Sequence, residues 1–317
     1  MELTFKVIIF LIIFFFSITC FAKEKKQKEQ SYTLALVDEA QRFISTQWTD
    51  LNYNTDMFFS NRGYRRSENK SMIMAYYAIY KKENFDPKYN FDLKIKVHLP
   101  STTKRMKIVI EKERDEILES SSSTAVIAGD NEAAPTKSNY VAGLNYLLST
   151  SPYYEMFLDF GMKIILPLDP FTKFRIQKNI TTSFVNISAA QKLILYRQDG
   201  FQEVTQLSFS RKFNQTFQTE QTNSLSWEDK TDTFILRNGL ALYQNIADEK
   251  TMSYGIGANA RLSPVLYYYS YDCAITYRQL IHSSWLYASL TVGADFPKEH
   301  DFDMEKFIMG RVEVFFR

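Results

Sequence analysis

The sequence predicts an all-β chain, an antiparallel transmembrane β-barrel of about fourteen strands (twelve is the main alternative), with a short amphipathic helix before it. Three observations predict it. The N-terminus reads as an export signal. Apolar and polar residues alternate with period two through most of the chain. The final strand closes on an aromatic residue.

Lys6 precedes the unbroken apolar run Val7 to Phe16, and the segment ends Cys20-Phe21-Ala22 before the charged stretch Lys23-Glu24-Lys25-Lys26. Small residues one and three positions before a cut fit a signal-peptidase site, so residues 1–22 read as a signal peptide cleaved after Ala22. Two alternatives stay open: an uncleaved anchor, and lipidation at Cys20, whose preceding Ser17-Ile18-Thr19 fits a lipidation box poorly. No later stretch approaches the ~18 consecutive apolar residues a membrane helix needs. A chain that enters a membrane without such helices must do so as a closed barrel, because hydrocarbon leaves no partner for an unpaired backbone group.

Residues 23–68 read as a periplasmic lead-in. Within it Leu36, Ala40, Phe43, Ile44 and Trp48 recur at helical spacing, which predicts an amphipathic helix from Leu34 to about Trp48. From residue 69 to 317 the period becomes two. Phe91-Asp92-Leu93-Lys94-Ile95-Lys96-Val97-His98-Leu99 alternates without an error, as a strand with one apolar and one wet face requires. Met106, Ile108 and Ile110 then alternate with Lys107 and Glu111, and similar runs cover 154–166, 251–262, 265–279 and 284–295. Their length matches the 9–11 residues a tilted membrane strand needs, against about five or six in a soluble sandwich.

The parsed strands are 69–80, 89–99, 104–113, 138–149, 154–166, 171–178, 182–197, 202–212, 216–228, 232–244, 251–262, 265–279, 284–295 and 304–316, with 171–197 the hardest stretch to divide. An even count returns both barrel ends to the periplasm. Pro100–Thr103, Ser151–Tyr153, Phe213–Gln215 and Ala247–Lys250 then become short periplasmic turns, and the Ser-rich stretch 114–137 becomes a surface loop that should accept an inserted epitope. Tyr76, Tyr77, Tyr80, Tyr140, Tyr153, Tyr154, Trp227, Tyr243, Tyr254, Trp285 and Phe316 fall near strand ends, where interfacial girdles are expected.

The last strand sets Ile308, Gly310, Val312, Val314 and Phe316 against Met309, Arg311, Glu313 and Phe315. That pattern resembles the C-terminal signal read by the barrel-assembly machinery, although here Arg317 follows the aromatic. Leu193-Ile-Leu-Tyr-Arg-Gln-Asp-Gly-Phe201, Asn223-Ser-Leu-Ser-Trp227, Met252-Ser-Tyr-Gly-Ile-Gly257 and Asp295-Phe-Pro-Lys-Glu-His-Asp-Phe302 carry a wider likeness. Together with Asp92-Leu-Lys-Ile-Lys-Val-His-Leu-Pro100 they resemble an uncharacterised family of proteobacterial outer-membrane barrel proteins. The resemblance implies fold and location and carries over no site residue.

Composition narrows the chemistry. Net charge is +2 from 38 basic and 36 acidic residues, which gives no reason to propose nucleic acid as a partner. Two cysteines, one inside the signal, and three scattered histidines leave no disulfide or metal pattern, and no cofactor is expected. His282-Ser283 is the only His–Ser adjacency, and neighbouring side chains on a strand point apart, so a catalytic pair is not expected there.

What remains is the inner wall. Lys94, Lys96, Lys107, Lys163, Lys173, Arg175, Arg237, Arg261, Arg278 and Arg311 fall on polar faces beside Asp92, Asp159 and Glu313, with the basic residues concentrated in the first half. Such a wall suits an anion-attracting pore, or a salt-bridged lumen that packs itself shut. The function this supports is a non-enzymatic barrel with a structural or assembly role, surrounded by outer-membrane lipid and holding a periplasmic partner through 23–68. A passive pore and a lipid-modifying enzyme are the alternatives.

Overall fold

The computed structural model describes residues 38–50, 71–98, 106–112, 140–151, 153–262 and 265–316. The signal segment, the Pro100–Thr103 turn, the 114–137 loop and Arg317 lie outside these residues. Helix α1 covers 38–50, with Phe43 and Ile44 exposed and Trp48 buried. No described helix is long and apolar enough to cross a membrane.

From residue 71 the described chain is strand after strand: β1 (Met72–Lys82), β2 (Lys88–His98), β3 (Met106–Lys112), β4 (Tyr140–Thr150), β5 (Glu155–Ile164), β6 (Asp169–Thr181) and β7 (Asn186–Tyr196). There follow β8 (Gly200–Lys212), β9 (Phe217–Glu228), β10 (Thr233–Ala247), β11 (Lys250–Leu262), β12 (Leu266–His282), β13 (Leu286–Pro297) and β14 (Glu305–Phe316). Each pairs antiparallel with its sequence neighbours, and β14 pairs with β1 from Ile73↔Phe316 to Lys82↔Phe307, closing a fourteen-strand barrel. Closure removes the unpaired edge that would otherwise expose a row of backbone donors and acceptors. We call the rim where β1 begins and β14 ends the terminal end, and the opposite rim the loop end.

Turn chemistry explains three connections at the terminal end. Ser151 Oγ accepts from the backbone N–H groups of Tyr153 and Tyr154, both at 3.1 Å. Thr182 Oγ1 accepts from Phe184 and Val185, and Asn214 Oδ1 from Thr216 and Phe217. In each a short polar side chain at the head of the turn replaces ladder bonds. The Thr182 turn divides 171–197 differently from the sequence reading: β6 runs on to Thr181, and β7 starts only at Asn186.

Two glycines permit close approach across paired strands. A Cβ on Gly161 would lie 2.6 Å from the Phe171 ring, and one on Gly293 would lie 2.5 Å from the Phe307 ring. Each aromatic lies over the glycine with which it is registered.

The two faces separate cleanly. Contacts between non-neighbouring strands, such as Arg278 on β12 with Glu313 on β14, mark the concave face. The opposite parity carries exposed Tyr77, Phe91, Phe160, Met162, Ile256, Val292 and Val312. Apolar outside and polar inside is the arrangement of a barrel solvated by lipid.

Two expectations about side-chain direction are corrected. Tyr76, Tyr80 and Tyr243 face inward, bonded to Asp92, packed on Phe307 and bonded to Glu220 respectively, and so leave the girdle. Strict alternation in 265–279 fails because the β11–β12 register slips between Asn259 and Ala260, placing Tyr268 and Tyr271 side by side with ring centroids 5.6 Å apart. A bulge shifts every later side chain by one, and period two alone cannot reveal it.

Candidate functional site

The inward face is the candidate site, and its charges fall into groups set by strand register. On the first, Asp159 and Lys173 are direct register partners on β5 and β6, with Lys173 Nζ 2.7 Å from Asp159 Oδ2. Asn145 of β4 also donates to Asp159. Lys94 pairs with Glu111, and Arg175 stands opposite Lys192 of β7. Asp159 and Lys173 are each only 5% exposed, so this pair is held largely out of water.

Asp92 anchors the neighbouring wall. Tyr76 donates to it at 2.6 Å and Tyr140 at 3.1 Å, joining β1, β2 and β4. Farther round, Glu313 accepts from Arg278 at 2.7 Å and lies 3.8 Å from Arg311. Both guanidinium groups sit over aromatic rings, Arg278 at 3.9 Å from the Tyr287 centroid and Arg311 at 4.7 Å from Tyr76. Flat cations on ring faces are fixed in orientation as well as in position.

The remaining sequence candidates are spread. Lys96 and Lys107 lie toward the terminal end, registered on Val109 and His98. Arg237 and Arg261 stand on the β10–β11 wall, Arg261 against Tyr269. Lys163 points to the loop end and binds Asp199 at 2.7 Å.

Reading by sequence pattern missed Lys192, Lys82 and Asp169. Lys192 shares its inward face with Ala190, Ile194 and Tyr196, so that face of β7 looks apolar. Val141, Phe171, Ile194 and Tyr196 form an apolar cluster on the inner wall. Lys82 joins Asp295 at 3.3 Å and also binds Glu305, while Asp272 stands in register beside Asp295. The loop-end wall of β12, β13 and β14 is therefore acidic, facing round to the basic wall of β2 to β7.

One ion cluster ties a strand to two turns at the loop end. Asp199, between β7 and β8, accepts from Lys163 at 2.7 Å and from Lys230 of the β9–β10 turn at 2.8 Å. Those two bonds, Lys163 first, hold its carboxyl below the usual carboxylate range. A depressed carboxylate contributes its stabilisation above the unfolded value near pH 4 and loses it as pH falls through the lower folded value. At pH 7 the clasp is fully formed. Asp199→Asn should raise hydrogen exchange in the 197–199 and 229–232 turns at pH 7 with little change in global stability, since the group is partly exposed. Unaltered exchange in both turns would remove the clasp.

His282 and Ser283 close the β12–β13 turn, His282 edge-on to Trp285 at 5.7 Å and Ser283 in the left-handed region at φ 50°. Among the described residues no group of three or more His, Cys, Asp or Glu could hold a metal.

The geometry defines the class of an outer-membrane β-barrel. No family model matches the chain, and no curated protein is similar to it. Among solved structures it is similar to a loop-deletion form of OmpT, an outer membrane protein of Vibrio cholerae, with TM-score 0.51 at 7% identity over 78% of this chain and 98% of that one. A bacterial polysaccharide outer membrane secretin follows at TM-score 0.47, 10% identity, and 78% and 98% coverage. The outer membrane channel DcaP of Acinetobacter baumannii gives TM-score 0.45, 7% identity, and 78% and 96% coverage. At such identities the likeness is one of fold.

Proposed function

We propose that this barrel is a passive pore for small hydrophilic solutes, with a preference for anions. One observation carries the reading: a closed barrel of fourteen strands with a charged inner wall. Fourteen strands about 4.8 Å apart, tilted by about 40°, enclose roughly 14 Å of radius at the backbone. Barrels of eight strands are filled by side chains, and those of sixteen hold an aqueous channel; fourteen lies near the second.

Lys94, Lys163 and Lys173 each have a carboxylate partner, and Arg175 and Lys192, in register on β6 and β7, add two further cations to the same wall. The preference follows from the cations of β2, β3, β6 and β7.

The same reading places the protein in the outer membrane after removal of its signal, with the loop end outside and lipid around the apolar band. The assembly machinery reads the last strand, and a periplasmic protein engages the lead-in. Membership of the proteobacterial barrel family that the strand-and-turn motifs resemble fits this placement.

Planar-bilayer recording on refolded protein is the test. In a potassium chloride gradient the reversal potential should show chloride passing more readily than potassium. Lys96→Gln with Lys107→Gln, both near the terminal mouth, should move the ratio toward unity. The absence of conductance steps at any voltage would overturn the pore.

A further inference from the structure

The outward face is not uniformly apolar. On β1 to β5 and on β11 to β14 its central positions hold residues such as Tyr77, Leu93, Ile108, Phe160, Ile256 and Val292. On β7 to β10 the corresponding positions are Gln191, Thr205, Asn223 and Asn238, each five residues in from the loop end of its strand. Gln221 lies one step farther down the same face, and Glu203 one step nearer the loop end. Parity fixes the assignment: Gln206, Ser208 and Glu220, on the other face of the same strands, are buried. The middle of β9, Thr219-Glu220-Gln221-Thr222-Asn223-Ser224, is thus polar on both sides.

Hydrocarbon offers such groups nothing. Part of the patch satisfies itself: Thr205 Oγ1 donates to Gln191 Oε1 at 2.6 Å, and Gln191 Nε2 donates to Glu203 Oε1 at 2.6 Å. Among the described residues Asn223 has only a 3.4 Å contact to the Leu207 carbonyl, and Gln221 is exposed. Asn223 and Asn238 are direct register partners, so two amides stand side by side at mid-strand.

We propose that this patch is the contact between two copies of the chain in the membrane, related by a two-fold axis along the membrane normal near Asn223 and Asn238. A primary amide carries two donors and an acceptor, so the patch complements itself. Two barrels inserted with the same orientation can present it to each other only about such an axis, which is an isologous contact. Leu207, Leu225 and Leu240 around the amides keep the margin of the contact apolar where it meets lipid. Acyl chains cannot answer amides, and the single carboxylate, Glu203, is already held by Gln191 and lies off the proposed axis. The inference rests on the outer surface and is independent of whether the lumen conducts.

The experiment uses the full chain refolded in lipid vesicles, with Cys20→Ser and Cys273→Ser to remove both native thiols. Asn223→Cys should form an interchain disulfide under mild oxidation at least tenfold more efficiently than Leu93→Cys, which lies on the far wall. Single-molecule photobleaching should give two steps for the parent protein. Asn223→Leu with Asn238→Leu should reduce the dimer fraction about tenfold; folding is confirmed by resistance to SDS before heating. Single-step bleaching of the parent, equal crosslinking at 93 and 223, or a trimer that does not crosslink at 223 would each overturn the two-fold contact.

Discussion

Lys173→Met should destabilise the refolded barrel by about 3–5 kcal/mol, the cost of leaving a buried carboxylate without its cation. Asp159 and Lys173 are both 5% exposed, and the pair spans adjacent strands at 2.7 Å. Asn145 also binds Asp159, but a neutral amide cannot balance its charge. Lys173→Met with Asp159→Leu should recover most of the loss, because removing both charges also removes the cost of holding them out of water. Urea unfolding in lipid vesicles, comparing both variants at the same slope, reads the difference. A single variant as stable as the double would mean that the pair does not hold β5 to β6.

Much of the fold was legible because the physical signal was local. The error-free alternation of 91–99 and the closing pattern of 304–316 each reflect one strand with lipid on one side, and no neighbour has to be known to read them. The turns headed by Ser151 and Asn214 were legible for the same reason. The slip in β12 was not, since a bulge is set by the partner strand as much as by the bulged one. Division of 171–197 failed on β7, where Ile194 and Tyr196 face inward while Gln191 faces outward. That strand carries apolar residues on both faces, with Leu195 outward beside inward Ile194 and Tyr196, so alternation marks no boundary there.

Alternation alone sets Lys94, Lys173, Arg175, Arg278 and Arg311 on the polar faces of their strands, and it says nothing of their partners. That Lys163 would find Asp199, or that Arg278 would reach past β13 to Glu313, depends on barrel closure and the turn after β7. Tyrosines near strand ends suit either an interfacial girdle or a lumen carboxylate. Tyr76 took the second because its register on β2 meets Asp92.

Leu93→Arg should cost about 2–4 kcal/mol of barrel stability and reduce assembly, whereas Val97→Arg on the same strand and face should cost about 0–1 kcal/mol. Leu93 is the middle residue of β2 and pairs with Ala75, so its outward side chain lies at mid-band; Val97 is next to the terminal end, where a guanidinium can reach headgroups and water. Lys94→Arg faces the lumen beside Glu111 and keeps its charge, so it should change little. The three substitutions share one strand and differ only in face and depth. Vesicle unfolding midpoints, with the folded fraction from gel shift before and after heating, give the ordering. If Leu93→Arg proves no worse than Val97→Arg, the central outward band is not in hydrocarbon. If Lys94→Arg proves the most damaging, the two faces of β2 are reversed.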